Sequence, residues 1–161
     1  MKIFKPKFWN KRYNVFSFIL LPLSLMYMTF ITLKKIVIKS KKFNIPVIVV
    51  GNIFVGGTGK TPLSIFISKE LKNKKTVIIK KYYNEHKDEF SLIKSKSCNL
   101  IHNKDRKLAI KEAERKKFDA VILDDGFQDH SILKNINIIC FNSNQLIGNG
   151  MMLPAGPLRE R

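Results

Sequence analysis

The amino-acid sequence predicts an α/β fold built around a mostly parallel sheet and preceded by a hydrophobic helix. Short apolar runs of strand length alternate with helix-like segments from residue 46 onward, which is typical of parallel α/β sheets. One apolar run, 47–50, leads into a glycine-rich loop, and another, 120–123, leads into two aspartates. An uncharged stretch at residues 15–33 lies between clusters of basic residues and predicts the preceding helix.

Apolar runs, turn residues and capping residues set the boundaries of the predicted elements. Strands are predicted at 46–50, 76–79, 99–102, 120–123 and 136–141, and helices at 61–72 and from the Asp105 cap to Lys117. The polar stretch 82–97 has no assignment, and the Gly/Pro-rich segment 148–161 is predicted to be a loop. Because ligands bind at the carboxyl ends of parallel strands, the glycine-rich loop and the aspartate pair are expected to share one site.

The glycine-rich loop reads Gly56-Gly57-Thr58-Gly59-Lys60-Thr61. Glycines allow backbone N–H groups to surround an anion, where a Cβ would obstruct them. Lys60 can reach the β- and γ-phosphates of a nucleotide, and the Thr61 hydroxyl can ligate Mg²⁺. The next helix points its positive end at the same phosphates. The order of strand, loop, Lys-Thr and helix predicts a P-loop NTPase-like site for ATP or GTP, although Phe54 stands where the usual spacing puts the first glycine. The alternative is a plain glycine-rich turn with an incidental lysine.

The aspartate pair, Asp124 and Asp125, is the second half of such a site. A carboxylate at the end of a buried strand holds Mg²⁺, directly or through water, while the cation bridges two phosphates. The sequence does not decide which of the two aspartates contacts the metal. Gln128 could orient a nucleophile or a phosphate oxygen, and equally could satisfy the turn that follows the strand.

A phosphotransferase also needs a group that assists the acceptor hydroxyl. Asp88 and Glu89 are the candidate carboxylates in the polar stretch, with solvent-exposed charge as the alternative interpretation. The histidines lack the spacing of metal ligands and are not predicted to bind a metal ion.

Length and composition limit the possible functions. The chain has 161 residues, 45% of them hydrophobic, which is enough for one domain with a short appendage. Its formal charge of +18 is compatible with nucleic acid, an anionic membrane or a phosphorylated substrate. Nucleic acid is the least favoured partner, because the lysines are spread along the chain without an aromatic-basic binding motif. Cys98 and Cys140 predict buried or reduced thiols.

The uncharged stretch 15–33 would extend about 28 Å as one helix, close to the thickness of a bilayer core. A spanning helix and an interfacial helix kinked at Pro22 are both compatible with it. A buried core helix is a further alternative, whereas a cleaved signal peptide is disfavoured because no small-residue cleavage site follows. Phe8 and Trp9 are predicted to lie among lipid headgroups. Residues 1–42 therefore form a predicted membrane-associated segment.

Three motifs resemble the tetraacyldisaccharide 4′-kinase (lipid A 4′-kinase) family. They are Gly51-Asn52-Ile53-Phe54-Val55-Gly56-Gly57-Thr58-Gly59-Lys60-Thr61-Pro62, Leu123-Asp124-Asp125-Gly126-Phe127-Gln128, and the stretch 148–160. Pro6-Lys7-Phe8-Trp9 and the hydrophobic helix are similar to the family's membrane-associated start. The resemblance implies Mg²⁺-dependent transfer of the ATP γ-phosphate to the 4′-hydroxyl of an acylated glucosamine disaccharide 1-phosphate, giving lipid IVA. It also implies contact with inner-membrane lipids at the cytoplasmic face, with 43–161 as the P-loop kinase domain.

Within that resemblance, Lys60 and Asp88 are the predicted catalytic residues, and Thr61, Asp124 and Asp125 the predicted metal ligands. The chain departs from the family in two places. Lys80-Lys81-Tyr82-Tyr83 stands where the family usually carries Ser-Arg-Gly-Tyr, and Lys87-Asp88-Glu89-Phe90 stands in place of Gly-Asp-Glu-Pro. Family members are also longer and carry a second lobe. The sequence therefore predicts the amino-terminal half of such a kinase, with a separate carboxy-terminal lobe as a candidate partner. The alternative function is a truncated, non-catalytic, membrane-bound nucleotide-binding module.

Overall fold

The computed structural model describes residues 5–54, 59–81, 87–96, 98–143 and 146–160. The chain divides into two compact units, each assembled from separate stretches of sequence. The first unit contains the described residues of 1–39, 52–58 and 141–161, and the second contains those of 40–51 and 59–140. The predicted division after residue 42, drawn from the uncharged stretch and its basic flanks, stays a prediction.

The second unit contains the predicted alternation of strands and helices. Its strands are β1 (Val47–Gly51), β2 (Thr76–Lys81), β3 (Leu100–Asn103), β4 (Ala120–Asp124) and β5 (Ile136–Ile139), and its helices are α3 (Lys60–Glu70), α4 (Lys87–Ser95) and α5 (Arg106–Arg115). Among the described residues these strands form one parallel sheet in the order β3-β2-β4-β1-β5. The predicted mostly parallel α/β sheet is therefore confirmed.

The register of the sheet brings the carboxyl ends of β1, β2 and β4 level with one another. Val50 of β1 and Lys80 of β2 both pair with Asp124 of β4, the last residue of that strand. The three central strands are buried on both faces, which explains their continuous runs of Val, Ile and Leu. One core cluster contains Val49, Val77, Ile110 and Leu123, and the other contains Ile65, Ile78, Ile93 and Ile122. Strand β5 lies at the edge of the sheet and is mostly exposed.

The polar stretch that the sequence left unassigned contains a helix. Helix α4 begins at Lys87, with Asp88 and Glu89 in its first turn, and buries Ile93 against the core. Its hydrophobic residues are too few to reveal the period of a helix within so polar a stretch. Tertiary contact with the sheet therefore determines an element that the local sequence does not predict.

Helix α5 begins as the sequence predicts. The Asp105 carboxylate accepts a hydrogen bond of 2.8 Å from the Lys107 N–H. Ala109, Ile110 and Ala113 form the buried face of the helix.

We expect Asp105→Ala to lower the free energy of unfolding by about 1 kcal/mol, because it leaves an N–H of the first turn without its acceptor. Urea denaturation followed by circular dichroism measures the change. Asp105→Asn, which keeps an acceptor oxygen, should lose only a few tenths of a kcal/mol. An equal loss in both variants would contradict the capping role.

In the first unit the uncharged stretch forms two helices. Leu20 separates helix α1 (Val15–Ile19) from helix α2 (Leu21–Val37). Pro22 lies in the first turn of α2, where a residue without an N–H is tolerated, and its ring disfavours a continuous helix from the preceding turn. The break between the two helices falls at Leu20, two residues before Pro22, where one of the alternative interpretations placed a kink. Within the described residues, no helix has the length and apolar character to cross a bilayer.

The carboxy-terminal segment lacks helices and strands over 148–160, as predicted, but it packs tightly within the first unit. Ser24 of α2 donates a hydrogen bond to Met152 O at 2.9 Å and accepts one from Ala155 N at 3.0 Å. Glu160 is 3% exposed and pairs with Lys35 at 2.8 Å. These contacts attach the segment to α2.

The prediction that Trp9 lies among lipid headgroups was wrong. Its side chain is 7% exposed, and its indole N–H donates to Pro154 O at 3.0 Å. The carboxy-terminal segment thus provides the polar partner that an indole would otherwise find in the headgroup layer.

Candidate functional site

The amino terminus of α3 supplies the first part of the candidate site. Gly59 precedes the helix with φ 73° and ψ 22°, a left-handed conformation that favours glycine. The helix carries no acidic residue of its own in its first turn. Lys60 and Thr61 are the first two residues of the helix, as the sequence predicted. An anion is favoured at such a terminus, and both side chains can assist its binding.

Asp124 joins β4 to this terminus. Its carboxylate is completely buried, and the Thr61 hydroxyl donates to Asp124 Oδ2 at 2.7 Å. Thr61 is 7% exposed. The sequence predicted that Thr61 would lie near the aspartate pair without deciding between Asp124 and Asp125, and the structure shows the contact with Asp124. Among the described residues, Asp124 Oδ1 has no hydrogen-bond partner.

Lys80, at the end of β2, contacts the same pair. Its ammonium lies 2.5 Å from Asp124 Oδ2, 2.5 Å from Glu89 Oε2 and 3.2 Å from Thr61 Oγ1. Burial lowers the pKa of Lys80, but the carboxylates of Asp124 and Glu89 outweigh this effect and raise the pKa above its usual value. Lys80 is therefore a buried, protonated residue of the site. Sequence analysis assigned it no role, although a charge directly after the apolar run 77–79 was a signal that could have identified it.

Asp125 has different surroundings from Asp124. Its side chain is 50% exposed and lies 3.6 Å from the Lys60 ammonium. Its φ of 57° is left-handed, a conformation that Asp adopts more readily than most residues. Arg106 of α5 supports this turn by donating to Asp125 O at 2.7 Å and lying 3.7 Å from the Asp129 carboxylate. Sequence analysis did not identify Arg106, because its partners come from a distant part of the chain.

Asp129 stabilises the same turn after β4. Burial by itself would raise the pKa of the Asp129 carboxyl. Hydrogen bonds from Ser131 and the charge of Arg106 together lower the pKa by a larger amount, so it lies below its usual value. Phe127 packs against the core beneath the turn. Asp129, through its polar contacts, and Phe127, through its packing on the core, thus hold the conformation of residues 124–128.

Of the remaining predicted site residues, some are exposed in the structure and some lie outside the described residues. Asp88 is exposed in the first turn of α4, and the neighbouring Glu89 is the carboxylate that contacts Lys80. Gln128 is exposed in the turn after β4. Gly56, Gly57 and Thr58 lie outside the described residues. The proposed roles of these residues stay predictions.

The residues present are chemically suited to a magnesium ion. Thr61 and Asp124 provide hydroxyl and carboxylate oxygens, the ligands that Mg²⁺ prefers, and the buried Asp124 Oδ1 still lacks a partner among the described residues. In the part of the chain that the structure describes, no three His, Cys, Asp or Glu side chains form a metal cluster. This is compatible with a magnesium–nucleotide site, because such an ion takes one or two protein ligands and completes its shell with phosphates and water.

Comparison with known families identifies a match over most of the chain. The family model described as tetraacyldisaccharide-1-P 4′-kinase (LpxK) matches residues 16–161. Among curated relatives named tetraacyldisaccharide 4′-kinase, the one from Pelagibacter ubique is 45% identical over 99% of this chain and 51% of its own length. The relative from Wigglesworthia glossinidia brevipalpis is 38% identical over 94% of this chain and 48% of its own.

A solved structure shares the fold. LpxK from Aquifex aeolicus, determined in complex with ATP, is 29% identical and aligns with a TM-score of 0.76 over 90% of this chain and 54% of its own. The chain thus spans about half the length of the curated relatives and of the solved structure that it matches.

Proposed function

The chain belongs to the tetraacyldisaccharide-1-P 4′-kinase family, and on that premise we propose that it contributes the nucleotide site of a lipid A 4′-kinase. The proposed reaction transfers the γ-phosphate of ATP to the 4′-hydroxyl of a tetraacylated glucosamine disaccharide 1-phosphate and gives lipid IVA. The observation that carries this proposal is the meeting of Thr61, at the start of α3, with the buried Asp124 at the end of β4.

Each residue of this arrangement has a proposed role that follows from its position. Lys60, in the first turn of α3, binds the β- and γ-phosphate oxygens together with the helix amino terminus. Thr61 and Asp124 would hold Mg²⁺, which neutralises charge on the phosphate oxygens when bound. Asp125 is more exposed and orients Lys60 through their 3.6 Å contact. Arg106 keeps the Asp125 backbone in place.

Helix α4 is proposed to contribute the residue that assists the acceptor hydroxyl. We assign the acceptance of the hydroxyl proton to Asp88, because it is exposed in the first turn of a helix whose next residue, Glu89, already contacts Lys80. Through its contact with Lys80, Glu89 holds that turn beside the carboxyl end of β2. An exposed carboxylate at this position is accessible to a sugar hydroxyl.

The amino-terminal helices suit a lipid substrate. In α1 and α2 the buried residues are the serines Ser17 and Ser24, whereas large apolar side chains face outward, the reverse of the pattern expected for a helix in water. This exposed apolar surface consists of Val15, Phe16, Phe18, Ile19, Leu23, Leu25, Met26, Phe30, Leu33, Ile36 and Val37. We propose that it lies in the interface of the inner membrane at the cytoplasmic face, where flanking lysines contact anionic headgroups and the substrate keeps its acyl chains in the bilayer.

We expect Met26→Ser combined with Phe30→Ser to lower the partition coefficient onto phosphatidylglycerol-containing vesicles by at least about tenfold, because two apolar side chains lose their burial. These residues are 68% and 63% exposed within the protein, so the change should leave the fold intact. Vesicle co-sedimentation measures the effect. The matched control, Leu108→Ser with Leu133→Ser, changes two exposed apolar residues of the second unit. An equal loss in the control would overturn the assignment of the membrane surface.

Two measurements on the purified chain test the proposed function. Isothermal titration calorimetry with ATP and Mg²⁺ tests the nucleotide site. A radiolabelled-ATP assay with the disaccharide 1-phosphate in mixed micelles tests transfer, with 4′-phosphorylated lipid as the expected product. Absence of nucleotide binding by folded protein would refute the nucleotide site and the kinase function with it.

A second candidate function is nucleotide binding without transfer. The contact between Thr61 and Asp124 at the amino terminus of α3 supports a nucleotide site and is compatible with binding alone. Calorimetric ATP binding combined with no labelled product would support this alternative over the kinase function. Restoration of transfer by a separately expressed carboxy-terminal lobe of a relative would then support a requirement for that lobe.

A further inference from the structure

The ammonium of Lys80 already lies where a cation of the site would be expected. Lys80 is 5% exposed and is the β2 residue in register with Asp124. Three oxygens from three different elements surround its Nζ atom: Asp124 Oδ2, Glu89 Oε2 and Thr61 Oγ1. A lysine ammonium has three donors and no acceptor, so this environment matches its bonding capacity.

Two of these three oxygens belong to the residues that would hold a divalent ion. Thr61 Oγ1 and Asp124 Oδ2 each lie within 3.2 Å of the Lys80 ammonium. Asp124 Oδ1, which has no partner among the described residues, is the carboxylate oxygen open to the ion. An ion at Oδ1 and the ammonium at Oδ2 of the same carboxylate repel each other in a buried site, so each weakens the binding of the other. Glu89 is the remaining partner, and its side chain is 42% exposed.

We propose that Lys80 is a resident cation that competes with a divalent metal ion for Thr61 and Asp124 and thereby sets the metal affinity of this site. When the ion binds Asp124, the Lys80 ammonium moves away from Asp124 and is retained by Glu89. The inference depends on the proposed function for the choice of a divalent metal as the competing ion. The contacts of Lys80 are independent of that function.

Titration with Mn²⁺ alone, followed by electron paramagnetic resonance of the free ion, tests the competition on the full chain. Lys80→Ser should bind Mn²⁺ at least about tenfold more tightly than the wild type, because the competing charge is removed. The matched control is Lys81→Ser, which removes the same charge from the next residue of the strand and should change the affinity less than about threefold. Asp124→Asn in the Lys80→Ser background should remove the gain.

An unchanged Mn²⁺ affinity in folded Lys80→Ser, or an equal gain in Lys81→Ser, would overturn the proposal. Circular dichroism checks folding, because Lys80→Ser leaves a buried carboxylate without its cation. Lys80→Gln keeps an N–H donor toward Asp124 without the charge and serves as the second variant.

One measurement needs no variant. Saturating Mn²⁺ should increase acetylation of wild-type Lys80 relative to Lys81, as measured by peptide mass spectrometry, because the ammonium leaves its buried partner. Unchanged labelling under these conditions would contradict the competition. Since nucleotide is absent from every arm, a failure of ATP binding or transfer would not alter these results, and a failure here would leave the nucleotide proposal standing.

Discussion

Asp124→Asn is expected to lower the free energy of unfolding by about 3 kcal/mol, because it leaves the buried Lys80 ammonium without its fully buried carboxylate partner. Asp124 is completely buried, and Lys80 is 5% exposed. Breaking a buried pair by removing one partner costs far more than losing a surface ion pair, since the remaining charge stays desolvated. Glu89 still contacts the ammonium at 2.5 Å, which places our expected value at the lower end of the range for buried pairs.

The matched control is Asp125→Asn, at the next residue along the chain. Asp125 is half exposed, and its contact with Lys60 is 3.6 Å long, so its removal should cost at most about 1 kcal/mol. Asn tolerates the left-handed φ of 57° at this position, which keeps backbone strain out of the comparison. Urea denaturation of both variants measures the difference. Equal losses at the two positions would show that Asp124 is not the buried partner that holds the cluster together.

Lys60→Ala is expected to lower the rate of phosphate transfer by about 10²–10³, because a positioned positive charge that stabilises developing negative charge is lost. The effect on stability should be small. In the structure, the only ion pair of Lys60 among the described residues is with the half-exposed Asp125 carboxylate, which is worth at most about 1 kcal/mol. The radiolabelled-ATP assay measures the rate, calorimetry measures ATP affinity, and thermal denaturation confirms the fold.

Lys69→Ala provides the matched control for Lys60. Lys69 is exposed in the last turn of the same helix, so the variant removes an equal charge at the opposite end of α3. Transfer by Lys69→Ala should stay within about twofold of the wild type, since charges at an exposed helix end act only over short, screened distances. A comparable fall in both variants would attribute the effect to net charge instead of phosphate binding.

Together, these two predictions distinguish residues whose loss lowers the stability of the fold from residues whose loss lowers phosphate transfer. Asp124 and Thr61 are buried and contribute to the fold as well as to the candidate site, whereas Lys60 and Asp125 are available for a ligand. A variant series that ignored burial would confuse loss of the fold with loss of the site. The ratio of lost transfer to lost stability is therefore the informative quantity at each position.

The sequence predicted those parts of the structure whose causes are local. The apolar runs of β1, β2 and β4 indicate strands buried on both faces, and Asp105 caps α5 because its side chain can reach a nearby N–H. The order of strand, glycine-rich loop, Lys60 and Thr61 predicted the start of α3 to within one residue. Each of these signals is contained within a few neighbouring residues.

The missed features depend on partners that are distant in sequence. Helix α4 forms in a polar stretch because Ile93 is buried against the sheet, and Trp9 is buried because Pro154 accepts its N–H. Arg106 and Lys80 join the site through contacts with the turn after β4 and with Asp124. No local pattern reports which distant carboxylate will face a given lysine.

The sequence by itself predicted the parallel α/β sheet from its apolar runs, the proximity of Thr61 to the aspartate pair from the parallel arrangement of the strands, and the family from the resemblance of three motifs. Only the tertiary structure decided that Asp124 is buried while Asp125 is half exposed, and that the Lys80 ammonium contacts both Thr61 and Asp124. The physical reason is that burial and charge pairing depend on register between strands that are far apart in the chain, and these interactions set the free energy of every charged group in the site.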